Sequence, residues 1–199
     1  MAEVSAFILA GGKSSRMGAN KAFLELGGRT LLARALELAR AVTEDVRIVG
    51  RRSTFAPYGP VIEDIYPERG ALGGIHAALT ATPSDFNLML AVDMPSLTAE
   101  FLSYLIAEAG RTGAAITVPR VSRRLQPLCA VYRRSFVTRA EAALKAGNNK
   151  IDPLFTPADT RIIEEPELAR LGFSAAIFDN LNTAEEWERA RQGAFPDRP

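Results

Sequence analysis

The chain has little of what marks several common classes of protein. It holds one cysteine, one histidine and one tryptophan among 199 residues. A lone Cys129 cannot close an intramolecular disulfide. Set in the apolar string LCAVY, it reads as a buried thiol, and nothing points to an oxidising compartment. His76 has neither a partnered nucleophile nor a metal cluster in the sequence around it, so a structural role is expected. No apolar run approaches the roughly 20 residues that a membrane-crossing helix requires, and no cationic segment followed by a cleavable apolar stretch opens the chain. We therefore expect a cytoplasmic protein with no membrane partner. Twenty-four Lys and Arg against 23 Asp and Glu leave a net charge of +1. Without a broad cationic field, nucleic acid is not an expected partner, and any anion site must be local.

What the chain does have is material for a substantial core, since 47% of its residues are hydrophobic. Residues 1–192 read as one domain and residues 193–199 as a frayed tail. Apolar runs at residues 4–9, 46–49, 61–62, 88–92, 114–118, 128–132 and 160–163 predict strands. Between them, helical periodicity is expected over residues 31–42, opened by Thr30, then over 71–82, over 99–110 closed by Gly110, over 136–145 and over 183–191. Short turns are expected near residues 52–60, 153–155 and 177–178. Strands that are solid apolar runs alternating with helices imply an α/β fold, a Rossmann-like three-layer α/β/α sandwich with a mostly parallel sheet.

The first strand feeds the segment LAGGKSSRMGANK, residues 9–21. Gly11 and Gly12 let a ligand approach the backbone without a Cβ in the way, and Lys13, Arg16 and Lys21 add positive charge. Such a turn favours an anion, most simply a phosphate chain. It is not a P-loop: that motif needs a glycine five residues before its second glycine, and counting back from Gly12 gives Phe7. Nor do Gly11, Gly12 and Gly18 have the spacing of the dinucleotide fingerprint.

Two acids follow later strands: Asp64 after Val61 and Ile62, and Asp93 before Met94 and Pro95. In an open parallel sheet, ligands bind beyond the carboxyl ends of the strands, so the glycine turn and both acids are expected in one site. A carboxylate beside a phosphate loop suits Mg²⁺, which takes hard oxygen ligands and is commonly shared with substrate phosphates. Asp93 is the expected metal ligand.

The string LAGGxSxRMG with a lysine shortly after it resembles the signature loop of the nucleotidyltransferases, and LAGG is most similar to their molybdenum cofactor guanylyltransferase branch. The resemblance extends through DMP at residues 93–95, Asp64 with GALGGI at 70–75, QPL at 126–128 and NLNTAE at 180–185. It implies the nucleotide-diphospho-sugar transferase type of fold. It also implies that Gly11, Gly12, Arg16 and Lys21 wrap the triphosphate of GTP, that Leu9 and Ala10 belong to the same nucleotide-binding set, that Asp64 contacts the ribose, and that Asp93 binds the nucleotide and holds Mg²⁺. Gln126, Asn180 and Asn182 become candidates for contact with the acceptor. Read from the residues alone, Arg120, Arg123 and Arg124 just before QPL form a basic segment that is either a solvated surface loop or a contact for an anionic acceptor. Three residues depart from the pattern: Asn20 where the family has Asp, Ala71 for Pro, and Ala184 for Pro.

The reaction so implied transfers GMP from GTP to the terminal phosphate of molybdopterin, or of its molybdenum-loaded form, and releases pyrophosphate. Arg16, Lys21 and Asp93 would be its catalytic residues. Molybdoenzyme maturation proteins would be transient partners. The alternatives are a cytidylyltransferase, another small-phosphate nucleotidyltransferase of the same fold, or a non-catalytic GTP-binding protein.

Overall fold

The computed structural model describes residues 3–11 and 20–181. An eight-stranded sheet forms its centre. The strands are β1 Val4–Leu9, β4 Asp45–Val49, β5 Val61–Ile62, β6 Phe86–Ala91, β7 Ile116–Val121, β8 Arg124–Leu125, β9 Cys129–Arg133 and β10 Thr160–Glu164. β2 Glu25–Leu26 and β3 Arg29–Thr30 make a separate antiparallel hairpin, turned by Gly27 and Gly28 at positive φ. The helices are α1 Leu31–Arg40, α2 Arg52–Phe55, α3 Gly70–Ala81, α4 Ala99–Thr112, α5 Phe136–Lys145 and α6 Glu165–Arg170.

Strand order across the sheet is β10-β7-β9-β6-β1-β4-β5, with β8 paired to β7. From β6 to β5 every pair is parallel. β9 runs antiparallel to both β6 and β7, and β10 returns parallel to β7. The sheet is therefore mixed, with a parallel half and an interrupted half. The chain moves from β1 outward to β4 and β5, then crosses back so that β6 pairs on the other flank of β1. That reversal opens a crevice beyond the carboxyl ends of β1 and β6.

Burial on both faces explains why the central strands read as unbroken apolar runs. All six residues of β6 are buried. Alternation divides them: Ala6, Ile8, Leu88 and Leu90 pack with Leu32 and Leu36 of α1 and Phe101, Leu102 and Leu105 of α4. Phe7 and Met89 face the opposite layer, with Leu72, Ile75 and Leu79 of α3 and Phe136 and Leu144 of α5. Each such side chain, fully buried, contributes roughly 1.5–3 kcal/mol. Cys129 lies in the core as a buried free thiol, and burial pushes its pKa up.

Thr30 caps α1 through its hydroxyl, which accepts from Ala33 N–H at 3.1 Å. α1 ends at Arg40, two residues before the expected end, α3 is displaced by one residue, and the end of α4 differs for a visible reason. α4 runs through Gly110 and stops at Gly113, whose φ of 63° lets its N–H close on the Ala109 carbonyl. Gly110 has open space around it and simply remains helical. β2, β3, β8 and α6 were not anticipated, because two-residue strands carry almost no period and α6 is a single turn and a half begun by Pro166. The helix expected over 183–191 and the tail at 193–199 lie outside the described residues. Among the described residues, no helix is long and apolar enough to cross a membrane.

Candidate active site

Beyond Leu9 the chain leaves β1 with two amides held by β4: Ala10 and Gly11 N–H both donate to the Val49 carbonyl, at 3.0 and 3.1 Å. A Cβ on Gly11 would meet the Gly50 Cα and the Val49 carbonyl oxygen at 3.7 Å, so the two strand ends lie close together. The Gly11 amide is thus engaged. The anion-facing amide expected of the glycine pair rests on Gly12, which with Arg16 and Asn182 lies outside the described residues.

At the far end of the loop, Asn20 takes over a capping role. Its Oδ1 accepts from Ala22 N–H at 3.1 Å and starts the one-turn 3-10 helix Lys21–Phe23. The departure from Asp therefore preserves the cap. Phe23 packs against Phe55 and Tyr58, with ring centroids 5.7 and 5.4 Å apart, which fixes the turn on α2. Lys21 is then presented to the end of β6, where its Nζ lies 2.7 Å from Asp93 Oδ2. Both side chains are mostly enclosed, at 15% and 21% exposure. Two expected site residues, 72 positions apart, are thereby joined by a charge-assisted hydrogen bond.

The peptide at Asp93 also anchors the end of the described chain. Leu181 N–H donates to the Asp93 carbonyl at 3.2 Å, which brings Asn180 to the same strand end. Asn180 Oδ1 is buried and has no hydrogen-bond partner among the described residues. The Gln126–Leu128 turn arrives from the antiparallel side: Ala91 N–H donates to the Leu128 carbonyl at 2.7 Å, and Gln126 N–H to the Pro119 carbonyl at 2.9 Å.

Asp64 stands on the opposite flank, just past β5. Its carboxylate keeps solvent-accessible surface, yet surrounding atoms desolvate it and lift its pKa above the usual carboxylate range. The reason is the crowded start of α3. A Cβ on Gly74 would sit 3.3 Å from Val49 Cγ1, 3.5 Å from Leu9 Cδ2 and 3.7 Å from Asp64 Oδ1. One on Gly73 would meet the Tyr66 carbonyl oxygen at 3.1 Å. Glycine in GALGGI therefore lets the helix close against β1, β4 and the Asp64 loop. Among the described residues no side chain caps this helix start, so its first N–H groups face the mouth without a side-chain acceptor from them. Ala71 in place of Pro does not prevent the helix from forming.

His76 lies away from this crevice. It is 4% exposed, packed edge-on against Tyr66 with centroids 5.1 Å apart, and burial lowers its pKa. Its structural role holds. Among the described residues there is no cluster of three or more His, Cys, Asp or Glu suited to a metal ion.

The chain's likeness to known proteins accords with this arrangement. Residues 6–161 match the family described as the MobA-like NTP transferase domain. The chain belongs to that family. It is a nucleotidyltransferase, as the loop and the two strand-end acids led us to expect. A Clostridium perfringens protein named probable molybdenum cofactor guanylyltransferase is 36% identical over 194 residues, covering 94% of this chain and 96% of its own length. The molybdenum cofactor guanylyltransferase of Syntrophotalea carbinolica is 31% identical, covering 94% of this chain and 90% of its own. Among solved structures, molybdopterin-guanine dinucleotide biosynthesis protein A from Archaeoglobus fulgidus superposes with a TM-score of 0.82 at 26% identity, covering 94% of this chain and 97% of that one. The α/β fold is shared more widely: the 2-C-methyl-D-erythritol 4-phosphate cytidylyltransferase of Thermus thermophilus matches with a TM-score of 0.70 at 18% identity.

Residues that sequence reasoning missed are mostly supports. Phe23, Phe55 and Tyr58 hold the Lys21 turn, and Gly50 admits the Phe55 ring, since a Cβ there would lie 2.7 Å from two of its atoms. A glycine directly after a buried strand was the available signal, but nothing local names the distant ring that needs the space.

Proposed function

We propose that this chain transfers GMP from GTP to the terminal phosphate of molybdopterin or its molybdenum-loaded form and releases pyrophosphate. The observation that carries the reading is the Lys21 to Asp93 contact of 2.7 Å at the reversal point of the sheet, beside the end of β1. It pairs a phosphate-seeking cation with a metal-seeking carboxylate where a nucleotide would lie. The names borne by the full-length relatives support the guanine and molybdopterin parts.

In this reaction an oxygen of the acceptor phosphate forms a bond to the α-phosphorus of GTP, while the bond from that phosphorus to the bridging β-oxygen breaks. Pyrophosphate leaves with the electron pair. The attacking phosphate is already ionised near neutral pH, so no general base is needed. That agrees with the burial of His76 and Cys129 in the core. The work is alignment of two anions and neutralisation of charge. Lys21 would move from Asp93 towards the phosphates and offset charge developing on the leaving group. Arg16 would assist it, with Leu9, Ala10, Gly11 and Gly12 as the floor under the triphosphate and Asp64 at the ribose.

Mg²⁺ fits the donor set. Asp93 offers a hard carboxylate at 21% exposure, and magnesium commonly needs only one or two carboxylates when phosphates supply the rest. When bound there, the ion would draw charge from the reacting phosphate. Asp93 would hold it, and Leu181 N–H, through the Asp93 carbonyl, would fix the backbone that carries the carboxylate.

The test is to supply GTP, CTP or ATP separately with Mg²⁺ and molybdopterin and to measure pyrophosphate. Release with GTP alone is expected. Release with CTP instead would replace guanylyl by cytidylyl transfer, and nucleotide binding without release would leave a binding protein.

A further inference from the structure

On the antiparallel side of the sheet, beyond the carboxyl end of β7, lies a cleft of about 650 Å³ lined by Arg120, Arg123, Arg124, Leu125, Pro127 and Asp152. With Arg120 paired to Glu164, the guanidinium groups of Arg123 and Arg124 stand against the single lining carboxylate, Asp152, and the lining remains cationic. We infer that this cleft is the acceptor subsite, in which Arg123 and Arg124 hold negative charge at the end of the acceptor remote from its reacting phosphate; this rests on the transfer reaction proposed above.

The first support is the backbone. β7 and β8 are joined by Ser122 and Arg123, both at positive φ, 49° and 64°. A two-residue turn of this kind is ordinarily made by Asn and Gly, which tolerate the left-handed region. A serine and an arginine there are strained, and strain kept in place by its surroundings is a pointer to function. The surroundings do keep it: Ser122 N–H donates to Glu165 Oε2 at 2.7 Å, and Arg120 Nη1 lies 2.8 Å from Glu164 Oε1. Tyr132, buried in the core, donates its hydroxyl to the Pro127 carbonyl at 2.9 Å and so holds the opposite wall. These contacts hold two sides of an open cleft.

The second support is the state of the cations. Arg120 is committed to Glu164, but the exposed Arg123 and Arg124 have no ion-pair or hydrogen-bond partner among the described residues. Guanidinium forks of this kind suit an oxyanion, a thiolate or a planar carbonyl group.

The third support is distance. β9 alone separates β7 from β6, and strands lie about 4.8 Å apart, so β7, which carries the turn, stands roughly 10 Å from β6, the strand that leads to Asp93. That is too far for the reacting phosphate and suits the other end of a phosphorylated heterocycle. In molybdopterin that end is the pterin with its ring carbonyl, and the dithiolate lies between it and the phosphate. Contacts so far from the chemistry add binding energy that orients the acceptor for attack.

The experiment measures binding and turnover separately. Molybdopterin binding without nucleotide is followed by pterin fluorescence, GTP binding by equilibrium dialysis, and turnover by pyrophosphate release. In Arg123→Ala/Arg124→Ala, molybdopterin binding should weaken at least tenfold and the acceptor KM should rise with it, while GTP binding stays at the wild-type value. Arg123→Lys/Arg124→Lys should recover part of the loss. Arg123→Gly, which relieves the left-handed strain, should raise Tm by about 2–4 °C while still weakening acceptor binding. Unchanged molybdopterin binding in the double alanine variant overturns the inference, as does an equal loss of GTP binding. Wild-type turnover with no cleft-dependent binding overturns the inference alone. Absence of both binding and turnover overturns the transfer reaction with it.

Discussion

The two flanks of β6 solve different problems with different means. On the parallel flank, β1, β4 and β5 end side by side, and the strand ends are shaped by missing side chains: a Cβ on Gly50 would collide with the Phe55 ring, and Cβ atoms on Gly73 and Gly74 would press on the Tyr66 carbonyl and the Val49 side chain. On the antiparallel flank, α4, β10 and α6 are tied by long charged side chains. Glu108 of α4 accepts from Arg111 and from Arg161 of β10, Arg161 also pairs with Glu167 of α6, and Tyr104 donates to Glu167 at 2.8 Å. On the function proposed above, the backbone-shaped flank would recognise what every nucleotide has in common, whereas a side-chain-lined cleft could be refitted to one acceptor without disturbing the other half.

That contrast can be broken most sharply at Asp93. Asp93→Asn should lower pyrophosphate release by about 10³-fold, with circular dichroism and cooperative unfolding retained. Near-normal turnover would remove Asp93 from the reaction.

On the other flank the largest effect should be on stability alone. The hydrogen bond from Arg111, opposed by burial and reinforced by Arg161, lowers the Glu108 pKa to about 2. A carboxyl whose pKa is depressed by folding stabilises above its unfolded value near 4.5, and that contribution is lost as pH falls through about 2. Allowing for the solvent around Arg111, Glu108→Gln should cost about 2 kcal/mol at neutral pH in denaturant titration. Its stability should also change less than that of the wild type between pH 4.5 and 2. Nucleotide and acceptor KM values should not move. A shifted KM would show that the two flanks are coupled.

Gly50→Ala sets the added methyl against the buried Phe55 ring and should cost about 1–3 kcal/mol. Because that ring backs the turn carrying Lys21, GTP KM should rise as well, which Glu108→Gln does not do. A purely thermal effect would separate the aromatic support from the site. The smallest effect is expected at Glu164→Ala, which removes a half-exposed ion pair with Arg120 and should change stability by less than about 1 kcal/mol. Its readout is acceptor KM, which should shift modestly as Arg120 loses its anchor while GTP binding is unaffected.

Much of the parallel flank was legible from residues 4–95, because buried parallel strands write themselves as solid apolar runs and their ends are marked by Gly11, Asp64 and Asp93. The loop motif then named the chemistry. The antiparallel flank was legible only as strands. Nothing at residues 114–132 says that β9 will insert between β6 and β7, since strand order depends on contacts far apart in the chain. The charge network was hidden for the same reason: Glu108 and Arg111 are neighbours on one helix, but Arg161 lies 53 residues from Glu108.

Sequence alone pointed to a glycine turn, a lysine and two strand-end acids as residues suited to a phosphate-bearing ligand, because each choice reflects local chemistry: an absent Cβ, a charge, a hard oxygen donor. It could not say which of them meet. Folding decided that Lys21 reaches Asp93, that the Gly11 amide is engaged by Val49, and that Arg123 sits in a strained turn carried by β7, about 10 Å from β6, the strand that leads to Asp93. Those outcomes come from register and crossover in the sheet, which are settled by the packing of the whole core rather than by any one stretch of residues.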